Sequence, residues 1–149
     1  MKKVVERLHE RGVIHGDIKL SIMLLCSDGK VHLCDFAGAA LVEDNTNRSP
    51  IRTVEWTSPY RAIHNMGQPI KENDLYALGV SIWELYTGYK PFQGMNSSEA
   101  KKLMKGGQSV DISKIDNEQA RDVVGELMSP MLQKTSLNKI KSSIGLEHC

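Results

Sequence analysis

The chain predicts a mostly helical domain, with helices gathered around one buried central helix and a small antiparallel ribbon beside them. Three observations carry this. Residues 74–87 read Asp-Leu-Tyr-Ala-Leu-Gly-Val-Ser-Ile-Trp-Glu-Leu-Tyr-Thr, apolar on almost every face, which places a helix inside a core rather than on its surface. Residues 97–105 and 117–128 carry apolar residues at helical spacing between polar ones. Ile22 to Leu25, Ser27-Asp28-Gly29-Lys30 and Val31 to Leu33 read as strand, hairpin turn and returning strand.

At 149 residues the chain is long enough to bury one real core. We divide it into a domain over residues 1–136 and a tail over 137–149. Lys and Arg number 19 against 18 Asp and Glu, so no basic footprint points to nucleic acid or to an anionic membrane surface. Three cysteines, Cys26, Cys34 and Cys149, fit neither a disulfide framework nor a zinc spacing. Cys26 and Cys34 fall in strand-like apolar runs and read as core thiols of a reducing compartment. No window approaches the roughly 18 apolar residues of a membrane span, and the first residues lack the apolar stretch of a signal peptide. A cytoplasmic or nuclear location is the resulting expectation.

Taken in order, residues 2–11 put Val4, Val5 and Leu8 on one helical face, with Gly12 as the stop. Val13-Ile14 leads into a loop, and the ribbon follows. Residues 38–54 are polar, hold Asn45, Asn47, Ser49 and Pro50, and lack periodicity, which predicts a long loop. The central helix is expected to start at an Asn73 or Asp74 cap and to end at Gly88. Ser97 or Ser98 opens the next helix. The last amphipathic helix has Ala120, Val123, Val124 and Leu127 on one face and is expected to stop at Ser129-Pro130. Leu137 to Ile144 allows a further short helix.

The chemistry-bearing stretch is His15-Gly16-Asp17-Ile18-Lys19-Leu20-Ser21-Ile22, followed across the ribbon by Asp35-Phe36-Ala37. A His-x-Asp-x-Lys loop, a strand pair and an Asp-Phe-small turn resemble the catalytic centre of eukaryotic protein kinases. Further blocks strengthen the resemblance. Thr53-Val54-Glu55-Trp56-Thr57-Ser58-Pro59-Tyr60 is similar to the run closing the kinase activation segment. Asp74 to Val80, Trp83-Glu84-Leu85 and Gly88-Tyr89-Lys90-Pro91-Phe92 are similar to the central helix of the C-terminal lobe and its exit. Each fragment alone is weak, and five in order are strong. The resemblance spans roughly residues 3–136 and covers the C-terminal lobe only, of serine/threonine type. The Pro59 and Asp74 blocks separate it from aminoglycoside-type phosphotransferases.

By that resemblance Asp17 is the carboxylate at the catalytic-base position, Lys19 faces the transferred phosphoryl group, and Thr53 braces both. Asp35 is the cofactor-binding residue and the magnesium ligand, and the cofactors implied are ATP and Mg. The departures matter as much. Ile22 stands where the family's Asn gives the second metal contact, and an aliphatic side chain cannot ligate a hard cation. Gly16 replaces the Arg that pairs with an activation-loop phosphate, so Thr46 and Ser49 have no obvious partner if modified. Ala37 replaces the Gly after Asp-Phe. Tyr60 replaces the Glu of a buried ion pair, and around Gln133-Lys134-Thr135-Ser136 no Arg receives it. About fourteen residues precede the loop, and no Gly-rich phosphate loop or strand lysine is present among them.

Productive ATP binding by this chain is therefore not expected. The leading expectation is a partial kinase domain, a pseudokinase-like binding module. The alternative is the C-terminal fragment of an active ATP-dependent protein kinase truncated upstream of the catalytic loop, and a small phosphotransferase using Asp17 and Asp35 alone is a third. The partners expected are proteins: a protein substrate, another kinase or a missing small lobe, with no nucleic acid and no membrane. An apolar floor exposed beneath an absent small lobe supports a protein contact.

Overall fold

The computed structural model describes residues 1–42, 54–64 and 70–143. Helix α1 spans Lys2–Glu10 and buries Val5 completely. It ends as expected at Gly12, whose φ of 75° lies in the left-handed region that side chains resist. Strand β1, Val13–Ile14, then pairs antiparallel with β4, Ala40–Leu41, and the Val42 N–H extends the pair by donating to the Gly12 carbonyl at 2.8 Å. The sequence reading placed residues 40–41 in a loop, because a two-residue strand is too short to show alternation.

The expected ribbon is present, as β2, Met23–Leu25, and β3, Val31–Leu33, joined antiparallel with Leu24 opposite His32 and Leu25 opposite Val31. It begins one residue later than read. Ile22 closes a short 3-10 turn over Leu20–Ile22 and is only 5 % exposed. The two cysteines here are half-buried, not core residues, because the ribbon has little packed over it: Leu25 beside Cys26 is 76 % exposed.

Helix α2, Pro59–His64, precedes the central helix α3, Lys71–Thr87. Tyr76, Ala77, Leu78, Gly79, Val80, Ser81 and Trp83 are buried along α3, as an apolar surround predicts, but its last turn departs from that expectation, with Leu85 and Tyr86 exposed. Its start differs from expectation. Ile70 holds the N-cap position without a side-chain bond, and Asn73 and Asp74 lie within the first turn, buried in the molecule. Gly88 does cap the end, at φ 72°. Helix α4, Ser97–Lys105, is opened by Asn96 rather than by either serine: the Asn96 side chain accepts the Glu99 N–H while Glu99 accepts the Asn96 N–H, both at 2.9 Å.

Helix α5 runs from Glu118 to Ser143, through Pro130. Proline removes one N–H and crowds the carbonyl four residues back, so a stop there was the natural reading. Packing overrides it, since Leu127, Met128 and Met131 on both sides of Pro130 are buried against the rest of the core. Val123 leaves the apolar face assigned to it and is 41 % exposed, while Ala120, Val124 and Leu127 stay inside. α3 packs chiefly on α5. Tyr76, Val80 and Trp83 meet Ile115, Val124, Met128 and Met131 on one side, and Ala77 and Leu78 meet Val5, Ile18 and Leu127 on the other. A Cβ on Gly79 would lie 2.7 Å from Cγ of Met128. Among the described residues no helix is long and apolar enough to cross a membrane.

Candidate functional site

The loop after β1 is built by what lies under it. Asp74, 1 % exposed in the first turn of α3, accepts three hydrogen bonds. Its Oδ2 takes the His15 backbone N–H at 2.8 Å and lies 2.9 Å from His9 Nε2, and its Oδ1 takes the Gly16 N–H at 2.9 Å. Gly16 adopts φ 83°, a left-handed turn that Gly makes without strain and that presents two successive N–H groups to one carboxylate. Beside it, Asn73 Oδ1 accepts the Ser58 N–H at 3.0 Å, and Ser58 Oγ accepts the Arg61 N–H at 3.3 Å. One helical turn therefore holds both the His15 loop and the segment leading into α2.

His15 is buried and joins the two halves of the site. Its Nε2 donates to the Cys34 carbonyl at 2.9 Å, and its Nδ1 accepts the Asp17 N–H at 3.2 Å. A carbonyl can only accept and a backbone N–H can only donate, so the proton sits on Nε2. The ring also packs against Phe36, centroids 4.9 Å apart. Asp17 and Asp35, separate in sequence, are thus tied through one imidazole.

Asp17 Oδ2 lies 3.7 Å from Lys19 Nζ, with the carboxylate 8 % and the lysine 25 % exposed. Asp35 is exposed, adopts φ 56°, and receives the Ala37 N–H at 3.4 Å. Thr53, with Thr46 and Ser49, lies outside the described residues. Ile22 turns its side chain into the core, and its carbonyl is occupied by the Cys34 N–H at 3.0 Å and the Cys34 thiol at 3.2 Å. That position brings no oxygen toward Asp35. For a Mg-nucleotide bridged between Asp35 and the position of Ile22 the described residues do not fit, because the second place is aliphatic.

Several contributors escaped the sequence reading. Arg61 is 1 % exposed. Burial pushes its guanidinium below the ordinary value, and the charges of Asp74 and Asp17 offset part of that shift. Lys134 is the neighbour of Tyr60: its Nζ lies 5.9 Å over the Tyr60 ring and 3.9 Å from Glu72. A search limited to Arg could not find it, although Lys134 stands in the stretch inspected. Trp56 Nε1 and Glu84 Oε2 are both buried without a closed hydrogen bond. Burial raises the Glu84 carboxyl, while Lys90 and the approaching indole N–H pull it partly back.

Comparison with known proteins agrees with this arrangement. The sequence profile of the protein kinase domain matches residues 1–145. The chain is 34 % identical over 102 residues to the serine/threonine-protein kinase AtPK1/AtPK6 of Arabidopsis thaliana, covering 68 % of this chain and 22 % of that one. It is 34 % identical over 102 residues to AtPK2/AtPK19 of the same plant, covering 68 % and 21 %. With CBL-interacting protein kinase 15 of Oryza sativa subsp. japonica it shares 32 % over 107 residues, covering 70 % of this chain and 25 % of that one. The chain spans about a quarter or less of the length of these relatives. On the match over residues 1–145 and on the order of its blocks, this chain belongs to the protein kinase family, with a serine/threonine-kinase-like domain.

Proposed function

We propose that this chain is a pseudokinase-like binding module, a kinase C-lobe that presents a protein-docking surface and does not transfer phosphate by itself. The observation that carries the proposal is Ile22, an aliphatic core side chain at the second metal-ligand position, 5 % exposed with its carbonyl engaged by Cys34. A transferring phosphoryl group needs its charge neutralised by well-placed cations, and that is most of what such a site contributes. In this reading Asp17, Lys19 and Thr53 occupy the base, phosphoryl-facing and bracing positions without turnover, and Asp35 is a lone carboxylate for Mg. The partner is a protein, received on exposed apolar residues of the ribbon, such as Leu25 and Val31, which face each other across β2 and β3.

The second reading, phosphoryl transfer to protein hydroxyls, is favoured by the intact Asp17–Lys19 pair and by the Asp74 anchor beneath it. Thermal melting of the full chain with and without Mg-ATP separates the two. Nucleotide binding to the native state raises the melting temperature by mass action. The module reading expects a cooperative melt unchanged at millimolar Mg-ATP. A rise of several degrees that disappears in Asp35→Asn, together with phosphate transfer to a generic protein substrate, would replace it with the catalytic reading.

A further inference from the structure

We propose that the tip of the β2–β3 ribbon is a zinc site, formed by Cys26, Asp28 and His32, separate from the kinase-type centre. The donor atoms of these three side chains, one thiol sulfur, one carboxylate oxygen and one imidazole nitrogen, all lie within 4.8 Å of one another. Strand geometry explains the meeting. Leu24 faces His32 across the ribbon, and the pairing continues past it, with the Cys26 N–H donating to the Lys30 carbonyl at 2.9 Å. Alternation then puts Cys26 and His32 on one face as diagonal neighbours, a spacing that long side chains close. The turn is held by the Gly29 N–H on the Cys26 carbonyl at 2.9 Å, and Asp28 by its Oδ1, which accepts the Lys30 N–H at 2.9 Å. Its second oxygen remains for a cation.

The donor set selects the ion. Zinc takes thiolate sulfur at about 2.3 Å and imidazole nitrogen or carboxylate oxygen at about 2.0–2.2 Å, so donors sharing one tetrahedral ion sit about 3.3–3.7 Å from each other. Asp28 and His32 are exposed and Cys26 is half-buried, so binding asks the three side chains to close from within 4.8 Å to that separation by rotation. A mixed sulfur, nitrogen and oxygen set prefers zinc or cobalt to magnesium, a hard cation that demands oxygen. Three protein ligands leave a fourth, tetrahedral place for water. On binding, the Cys26 thiol gives its proton to solvent. Lys30, on the same edge of the turn, is the one like charge on the ribbon. The bound ion would cross-link β2 to β3 two residues before Cys34, which carries the bond to His15.

The test is a cobalt titration of the full chain under reducing conditions, read by absorbance. One equivalent of Co²⁺ is expected to bring up a thiolate-to-cobalt charge-transfer band in the near ultraviolet with tetrahedral d–d bands in the visible. Zinc should displace it and a large excess of Mg²⁺ should not. Cys26→Ser should abolish the charge-transfer band, and His32→Ala should weaken cobalt binding at least about tenfold. Cys34→Ser and Cys149→Ser should retain the band. The two site residues lie at an open ribbon tip, and a melt of each variant checks that it folds. Absence of the band in the native chain, or its survival in Cys26→Ser, overturns the proposal.

Discussion

Asp74 Oδ1 accepts the Gly16 N–H at 2.9 Å across 58 residues of chain, while its other oxygen takes the N–H of His15. Removing that carboxylate leaves two backbone donors with no acceptor, and each such group costs about 1–3 kcal/mol where it is buried. Asp74→Ala should therefore lower unfolding free energy by at least about 3 kcal/mol, read as a drop in urea midpoint. A change below about 1 kcal/mol would show that water fills the gap.

Ile22 is committed to the core, so restoring the family's residue type there should not restore a metal site cheaply. Ile22→Asn exchanges buried apolar surface for an amide, a loss of roughly 3 kcal/mol. We expect the variant to melt well below the native chain with no rescue by Mg-ATP. Rescue by nucleotide would mean that the Asn side chain swings out to the ligand.

Gly79 on α3 sits directly against Met128 on α5. A methyl group at Gly79 would stand 2.7 Å from Met128 Cγ, and both residues are buried. Overpacking of this kind costs about 1–3 kcal/mol. Gly79→Ala should be destabilising, and Met128→Ala added to it should be less harmful than the two single changes summed, because the second makes room for the first. Simple additivity in the cycle would place the strain elsewhere.

Glu84 gives the stability a pH dependence. Burial raises its carboxyl above the ordinary value of 4.5, so the folded protein holds this proton more tightly than the unfolded chain does. The contribution is present below 4.5 and is lost as pH rises through the raised folded value. Glu84→Gln, which keeps the shape without the charge, should melt higher than the native chain near neutrality and equally below pH 4.5. Parallel melting curves across that range would assign the slope to another group.

Much of the fold was legible because its central signal is strong. An apolar surround over residues 74–87 admits a buried helix and little else, and Gly12 and Gly88 stop helices at the places read. What failed were decisions between local and distant forces. Pro130 is a stop by its own chemistry, and only contacts made by Leu127, Met128 and Met131 carry α5 past it. Asn73 and Asp74 are good capping residues, so the sequence alone favoured that use, whereas the structure spends both on loop N–H groups. At the site, motif spacing singles out Asp17, Lys19, Asp35 and Ile22, whose roles are those the resemblance implies. The roles of His15 as a joint and Lys134 as the neighbour of Tyr60 depend on pairs far apart in the chain, which no spacing rule encodes.

Toward the His15 loop and the Ser58 segment, the hydrogen bonds described from Asp74 and Asn73 on α3 go to main-chain amides. Every amino acid except proline offers the same N–H, so the His15 loop and the Ser58 segment are indifferent, at those bonds, to what their own residues are. A substitution in either segment is felt at these bonds only where it introduces proline or refuses the backbone turn, as a side chain at Gly16, with φ 83°, would.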